Sequence, residues 1–323
     1  MADKDAFSDA IAAIAGARAS GLKAVDGAVS LMLDVSGMTA SDRNAIEADL
    51  RSALTAAGAS SVRIMLTAER RSPRLIAVAS GKGGVGKSTL SANLAVAMAR
   101  AGRAVGLVDA DIYGPSQPRL LGAEGIQPLA DDDKLVPVVG AGGVPFLSMG
   151  QLAKAGQAIA WRGPMAGKAL SQLIDAQWGD VRDIIVDLPP GTGDIQLSII
   201  QKYKPIGAVI ISTPQDLALI DAARAITFFD QAKVPIIGLV ENMAGYICPN
   251  CGDISNPFGI GGAEAAALDL GIPFLGRIPL DIAIRRDSDA GVPPALGNGP
   301  ISAAYGAIAK LVEHWIDNPK AAA

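Results

Sequence analysis

Val29, Leu31, Leu33 and Val35 are apolar at every second position, with Ser30, Met32 and Asp34 between them. That period of two predicts a half-buried strand. Val62, Ile64, Leu66 and Ala68 repeat the pattern and predict another. Between these stretches Ile46, Leu50 and Leu54 recur every four residues, the spacing of one helix face, with Ser41 or Asp42 as its cap. Ala10 to Ala15 reads as a further helix that ends near Gly16. Glu69 to Arg74 is polar, basic and broken by Pro73, the composition of a linker. Residues 1–68 are therefore expected to form a small α+β domain, 69–74 a linker, and 75–323 a larger domain.

From Leu75 the rhythm changes. Leu75–Ala79 is apolar throughout and leads into a glycine-rich turn. Val105–Val108 ends at Asp109, Ile184–Val186 at Asp187, Ala208–Ile211 at Ser212, and Ile236–Val240 at Glu241 and Asn242. Strands without alternation are buried on both faces, and helical stretches separate these runs. The pattern predicts an α/β fold with a mostly parallel sheet covered by helices on both sides. Polar residues at the carboxyl ends of such strands mark where ligands bind. Lys134 to Ser148 is expected to form a β-excursion around Gly140–Gly143. Ile301, Tyr305, Ile308, Val312 and Trp315 make the core-facing stripe of a C-terminal helix.

Composition narrows the partners. Half of the 323 residues are apolar and the formal net charge is −4, which permits a sizeable core and gives no general nucleic-acid footprint. No apolar run has the length of a membrane span. Met1–Asp5 is polar, unlike a signal peptide. The expectation is a cytoplasmic protein without nucleic-acid or membrane partners, its two cysteines kept reduced.

The chemistry begins at Gly81-Lys82-Gly83-Gly84-Val85-Gly86-Lys87-Ser88-Thr89. A strand before it and a helix after it make the G-x-x-x-x-G-K-[ST] spacing a phosphate loop. Its glycines let backbone N–H groups converge on one point, and the helix N-terminus adds a positive dipole end. Lys87 would reach the β- and γ-phosphates, and the Ser88 hydroxyl would ligate Mg²⁺. The early lysine, Lys82, makes the stretch resemble the deviant Walker A of the MinD/ParA/nitrogenase iron-protein class. That resemblance implies a homodimer in which Lys82 reaches across to the partner's ATP. It also implies that Asp111, in Asp109-Ala110-Asp111-Ile112-Tyr113-Gly114-Pro115-Ser116, positions the attacking water. Asp187, opening Asp187-Leu188-Pro189-Pro190-Gly191-Thr192-Gly193-Asp194, would bind Mg²⁺ through water, with the Gly191 N–H near the γ-phosphate. Asn242 would lie against the purine, and Glu241-Asn242-Met243-Ala244 lacks the aspartate that selects guanine, which favours ATP.

Both cysteines lie in Cys248-Pro249-Asn250-Cys251-Gly252. A redox dithiol, a zinc knuckle and an iron–sulfur site are all open readings of this spacing. The last two need four ligands, and the lone histidine, His314, belongs to the C-terminal helix as a surface residue. The same pair in a second chain would complete the set. Taken with Trp161-Arg162-Gly163-Pro164-Met165, these motifs resemble the Mrp/ApbC family of iron–sulfur carrier ATPases from about residue 72 onward. The resemblance implies a bridging [4Fe–4S] cluster held by Cys248 and Cys251 of both chains. The cluster would be received from donors and passed to apo iron–sulfur proteins at the expense of ATP. A MinD/ParA-like dimerisation switch and a zinc-bridged structural dimer are the alternatives. The chain departs from the family in two places. Its N-terminal domain has no cysteine and reads as a degenerate docking module, and Asp253–Gly262 lacks a histidine common in relatives.

Overall fold

The alternating strands near the N-terminus fold into a sheet because one face of each must be hidden. The computed structural model describes residues 4–36, 38, 40–67, 72–131, 133–152, 163–191, 193–248 and 250–318. The chain divides into two compact units, Met1–Ser72 and Pro73–Ala323. The first contains α1 (Lys4–Ala15), β1 (Ala19–Val25), β2 (Ala28–Asp34), α2 (Ala40–Ala56) and β3 (Ser61–Thr67). Its sheet runs β1-β2-β3, with β2 antiparallel to β1 and parallel to β3. Val29, Leu31 and Leu33 pack with Phe7, Ile11, Leu50 and Leu54 in one buried cluster. The α1 helix ends at Ala15 and Gly16 follows at φ +51°, left-handed backbone that glycine adopts freely. Strand β1 has no counterpart in the sequence reading, because Ser20-Gly21-Leu22-Lys23-Ala24 shows no clean alternation.

The second unit starts before Leu75. Arg74, read from the sequence as linker, opens a strand: its N–H donates to Arg182 O and its guanidinium pairs with the buried Asp183 at 2.7 Å. The elements that follow are β4 (Arg74–Ala79), α3 (Lys87–Arg100), β5 (Val105–Asp109), α4 (Gln117–Leu120), β6 (Leu129–Asp131), β7 (Lys134–Val136), β8 (Val138–Val139), β9 (Pro145–Ser148) and α5 (Gly163–Ile174). Then come β10 (Asp183–Asp187), α6 (Asp194–Tyr203), β11 (Gly207–Ser212), α7 (Asp216–Gln231), β12 (Ile236–Glu241), β13 (Tyr246–Ile247) and β14 (Ile254–Ser255). The unit closes with α8 (Gly262–Asp269), β15 (Phe274–Arg277), α9 (Ile282–Asp289) and α10 (Pro300–Asp317).

Eight of these strands form one sheet in the order β15-β12-β11-β4-β10-β5-β9-β8. Every pairing in it is parallel except β8 with β9, the excursion expected around Gly140–Gly143. The expected parallel α/β sheet is therefore present. Two buried clusters cover its faces. One joins Leu90, Leu94 and Met98 of α3 to Tyr305, Ile308, Val312 and Trp315 of α10. The other joins Leu170 and Leu173 of α5 to Ile199, Ile226 and Phe229 of α6 and α7. The parallel register sets Asp187 of β10 beside Asp109 of β5, and Asp109 beside Ser148 of β9. Three polar residues from three separate strands thus stand in one row at the carboxyl edge.

Candidate functional site

The turn from β4 into α3 meets that row. Gly86 caps α3 at φ +90°, and a Cβ there would lie 2.2 Å from the Asn242 amide nitrogen. Gly81 is crowded differently, since a Cβ would come within 2.1 Å of the Asp221 backbone. Both glycines are required by close approach, whatever the loop binds. Asn242, which the sequence reading set against a purine, donates its amide to Val85 O at 2.8 Å and so touches the phosphate loop directly.

Lys87 is 6% exposed, and its Nζ lies 2.6 Å from Asp187 Oδ1 and 3.4 Å from Ser88 Oγ. A cation thus stands between the two oxygens that the sequence assigns to Mg²⁺, so this pocket of hard oxygen donors accommodates positive charge. Asp187 is fully buried and held by further donors: Ser91 Oγ also donates to Oδ1 at 3.0 Å, and Gln117 Nε2 to Oδ2 at 2.9 Å. A buried carboxylate needs that compensation.

Asp109 organises the segment behind it. Its Oδ2 accepts from the N–H of Ser116 and Gln117 and from Ser148 Oγ, and its Oδ1 from the Asp111 N–H. Those donors favour the charged form. Complete burial, and then the facing Asp187, outweigh them and push its pKa up to about 7. Asp111 is 8% exposed, and its Oδ1 accepts from the N–H groups of Tyr113 and Gly114 at 3.0 and 3.1 Å. Its other oxygen has no hydrogen bond among the described residues. Lys82 is half-buried and in no ion pair among them; its carbonyl accepts from Ser80 Oγ. The Gly191 N–H donates to Ser80 O at 3.1 Å, so it is already engaged. Thr192, Trp161 and Arg162 lie outside the described residues.

Cys248 and Cys251 sit at the tip of the β13–β14 hairpin, half-buried and exposed respectively. The turn closes through Cys248 N–H to Asp253 O and Gly252 N–H to Cys248 O, both 2.9 Å. Backbone N–H groups of Asn250 and Cys251, then the Cys251 thiol, hold the Cys248 thiol below its ordinary pKa. Among the described residues no cluster of three or more histidine, cysteine or acidic groups could hold a metal. His314 is exposed on α10 and brings no third ligand. The stretch between Asn242 and the hairpin is tied to the segment after β15: Ala244 N–H donates to Ile278 O, and Tyr246 bridges to Leu280.

The structure therefore brings Lys87, Ser88, Asp187, Asp109 and Asn242 to one place, with Asp111 on the adjoining loop. The sequence reading missed Ser91, Gln117 and Ser148. Ser91 was findable, being one helical turn beyond Lys87 on the same face. Ser148 carried no local signal, because its role comes from strand register. No helix among the described residues is long and apolar enough to cross a membrane.

The profile of the family described as NUBPL iron-transfer P-loop NTPases matches residues 72–314. The iron–sulfur cluster carrier protein of Deinococcus radiodurans is 47% identical over 264 residues, 78% of this chain and 75% of that protein. A nucleotide-binding protein of Archaeoglobus fulgidus, solved in complex with ADP, is 42% identical with a TM-score of 0.60, covering 68% of this chain and 86% of that one. The MinD cell division protein of Aquifex aeolicus, at 23% identity and a TM-score of 0.55, covers 75% of this chain and 97% of its own and shares the fold.

Proposed function

The chain belongs to the family of NUBPL-type iron-transfer P-loop NTPases, and from that premise we propose that it is an ATP-hydrolysing carrier of [4Fe–4S] clusters. The reading rests on one observation above all. The β13–β14 hairpin offers two thiols and no third cysteine or histidine among the described residues, in a chain that also carries a complete phosphate loop. Four thiolates from two chains would hold one cluster on a two-fold axis. The cluster is cargo, received from donors and passed to apo-proteins.

Within the phosphate site Lys87 moves from Asp187 to the β- and γ-phosphate oxygens. Ser88 and Asp187 would then hold Mg²⁺, which would neutralise charge on the phosphate oxygens. Asp111, its loop fixed by two backbone N–H bonds, orients the attacking water with its free oxygen. Lys82 of each chain stabilises charge on the nucleotide held by the other. Asn242 exchanges its bond to Val85 for the purine edge.

Anaerobic reconstitution, with iron, sulfide and molar mass measured on the same sample, tests the reading. About one four-iron cluster per two chains is expected, since each chain supplies two cysteines. A full cluster on a monomer, or zinc alone under the same conditions, overturns the carrier assignment. The nucleotide site would survive either result.

A further inference from the structure

Gln117 is fully buried at the first residue of α4. Its Nε2 donates at 2.9 Å to Ser88 O and at 2.9 Å to Asp187 Oδ2. Its backbone N–H donates to Asp109 Oδ2 at 3.1 Å. One residue thus joins the phosphate loop, the end of β10 and the segment that carries Asp111. Both partners of Nε2 are pure acceptors, which fixes the amide orientation. Oε1 is then a buried acceptor with no donor among the described residues. A buried acceptor left unpaired is costly, so it is expected to have a partner in the working protein.

The donor it lacks must come from something that enters. Nε2 binds Asp187 itself and the main chain of Ser88, the two residues assigned to the cation. A water in that cation's hydration shell carries O–H groups into the same space, and Mg²⁺ keeps several such waters when protein-bound. We propose that Gln117 is a positioning residue of the divalent-cation site: Nε2 holds Asp187 in register with Ser88, and Oε1 accepts from cation-bound water. This rests on the nucleotide-site reading and extends it to a residue outside the phosphate-loop motif. Outer partners of this type commonly change metal affinity by about tenfold or more when removed.

The test is a Mg²⁺ titration of the full chain with a fluorescent, non-hydrolysable ATP analogue, repeated in EDTA. Gln117→Leu should raise the Mg²⁺ concentration for half-saturation about tenfold, while affinity for the analogue in EDTA stays within about twofold of wild type. Gln117→Glu keeps an acceptor oxygen but loses the Nε2 donor to Ser88 and Asp187, so it should recover part of the Mg²⁺ affinity that Gln117→Leu loses. It should also show a larger Mg²⁺-dependent rise in melting temperature than wild type, because two facing carboxylates repel until a cation joins them. An unchanged Mg²⁺ half-saturation in a folded Gln117→Leu chain overturns the proposal. So does an equal loss of analogue affinity with and without Mg²⁺, or a Gln117→Glu chain as defective toward Mg²⁺ as Gln117→Leu. Wild type that binds no analogue in Mg²⁺ is a different result, which removes the nucleotide reading and this inference with it.

Discussion

The phosphate loop and the cysteine hairpin are far apart along the chain but linked through one short stretch, since Asn242 contacts the loop and Cys248 follows soon after it. They are built in opposite ways. At the phosphate loop, Asp187 and Asp109 are fully buried and each is held by donors from separate segments. At the hairpin Cys251 is exposed, and its neighbours Ile247 and Ile254 are 59% and 71% exposed. Buried polar groups must be satisfied within the fold, so one chain by itself builds the buried carboxylate row of the first site. An exposed thiol pair flanked by exposed isoleucines is not subject to that demand. In the proposed carrier a second chain completes its coordination.

The largest effect expected is at the hairpin. Cys248→Ser should abolish stable cluster binding, because a hydroxyl is a poor ligand for iron where a thiolate is required. ATP turnover and melting temperature should hardly move. Iron analysis and an ATPase assay on one preparation check both halves, and a cluster retained at full occupancy breaks the comparison.

Lys87→Ala comes next. It removes a charge-assisted contact to phosphate worth about 2–3 kcal/mol, so ATP affinity should fall roughly 30- to 150-fold. The same change leaves Asp187 buried without its cation, so the chain should also melt earlier. Calorimetric titration with ATP and a thermal scan measure the two effects. Intact ATP affinity in a folded variant removes the phosphate-loop assignment.

Asp111→Asn should be milder. The amide oxygen can still accept from Tyr113 and Gly114, so the loop keeps its shape while losing a charge. Nucleotide affinity is expected to stay within about twofold, and kcat to fall by tenfold or more, as when a group acting on the attacking water is lost. Equal losses in affinity and kcat would point to a structural role instead.

The smallest signal expected is in the pH dependence of stability. Asp109 holds its proton in the folded chain up to about pH 7, whereas the unfolded chain releases it in the ordinary carboxylate range. Its contribution to stability is therefore complete below about pH 4 and is lost as pH rises through about 7. The slope is at most one proton, about 1.4 kcal/mol per pH unit. Asp109→Asn should flatten denaturant-unfolding midpoints over that interval, measured without nucleotide or divalent cation. An unchanged slope means that the donors around Asp109 outweigh burial and Asp187.

Legibility followed how local each signal was. Strands β4, β5, β10, β11 and β12 were readable because unbroken Val, Ile and Leu runs can be buried only between two layers. The terminal residues Asp109, Asp187 and Asn242 were readable with them. Strand β1 was not, because its half-exposed residues carry no period, and neither was β15, a short edge strand whose Phe274-Leu275-Gly276-Arg277 shows no pattern of its own. Arg74 read as linker because its charge hid a strand residue whose partner, Asp183, lies far along the chain.

Motif spacing and hydrophobic period, both set by residues close in the chain, determined the phosphate loop, the strand ends and the cysteine pair. Which strands lie side by side was decided only by tertiary packing. The register of β10 against β5 and of β5 against β9 puts Asp187, Asp109 and Ser148 in one row. The turn of the chain into α4 then delivers Gln117 to Ser88 and Asp187, across sequence separations of 29 and 70 residues. A buried carboxylate has to find its donors wherever the fold brings them, and no local pattern records where that will be.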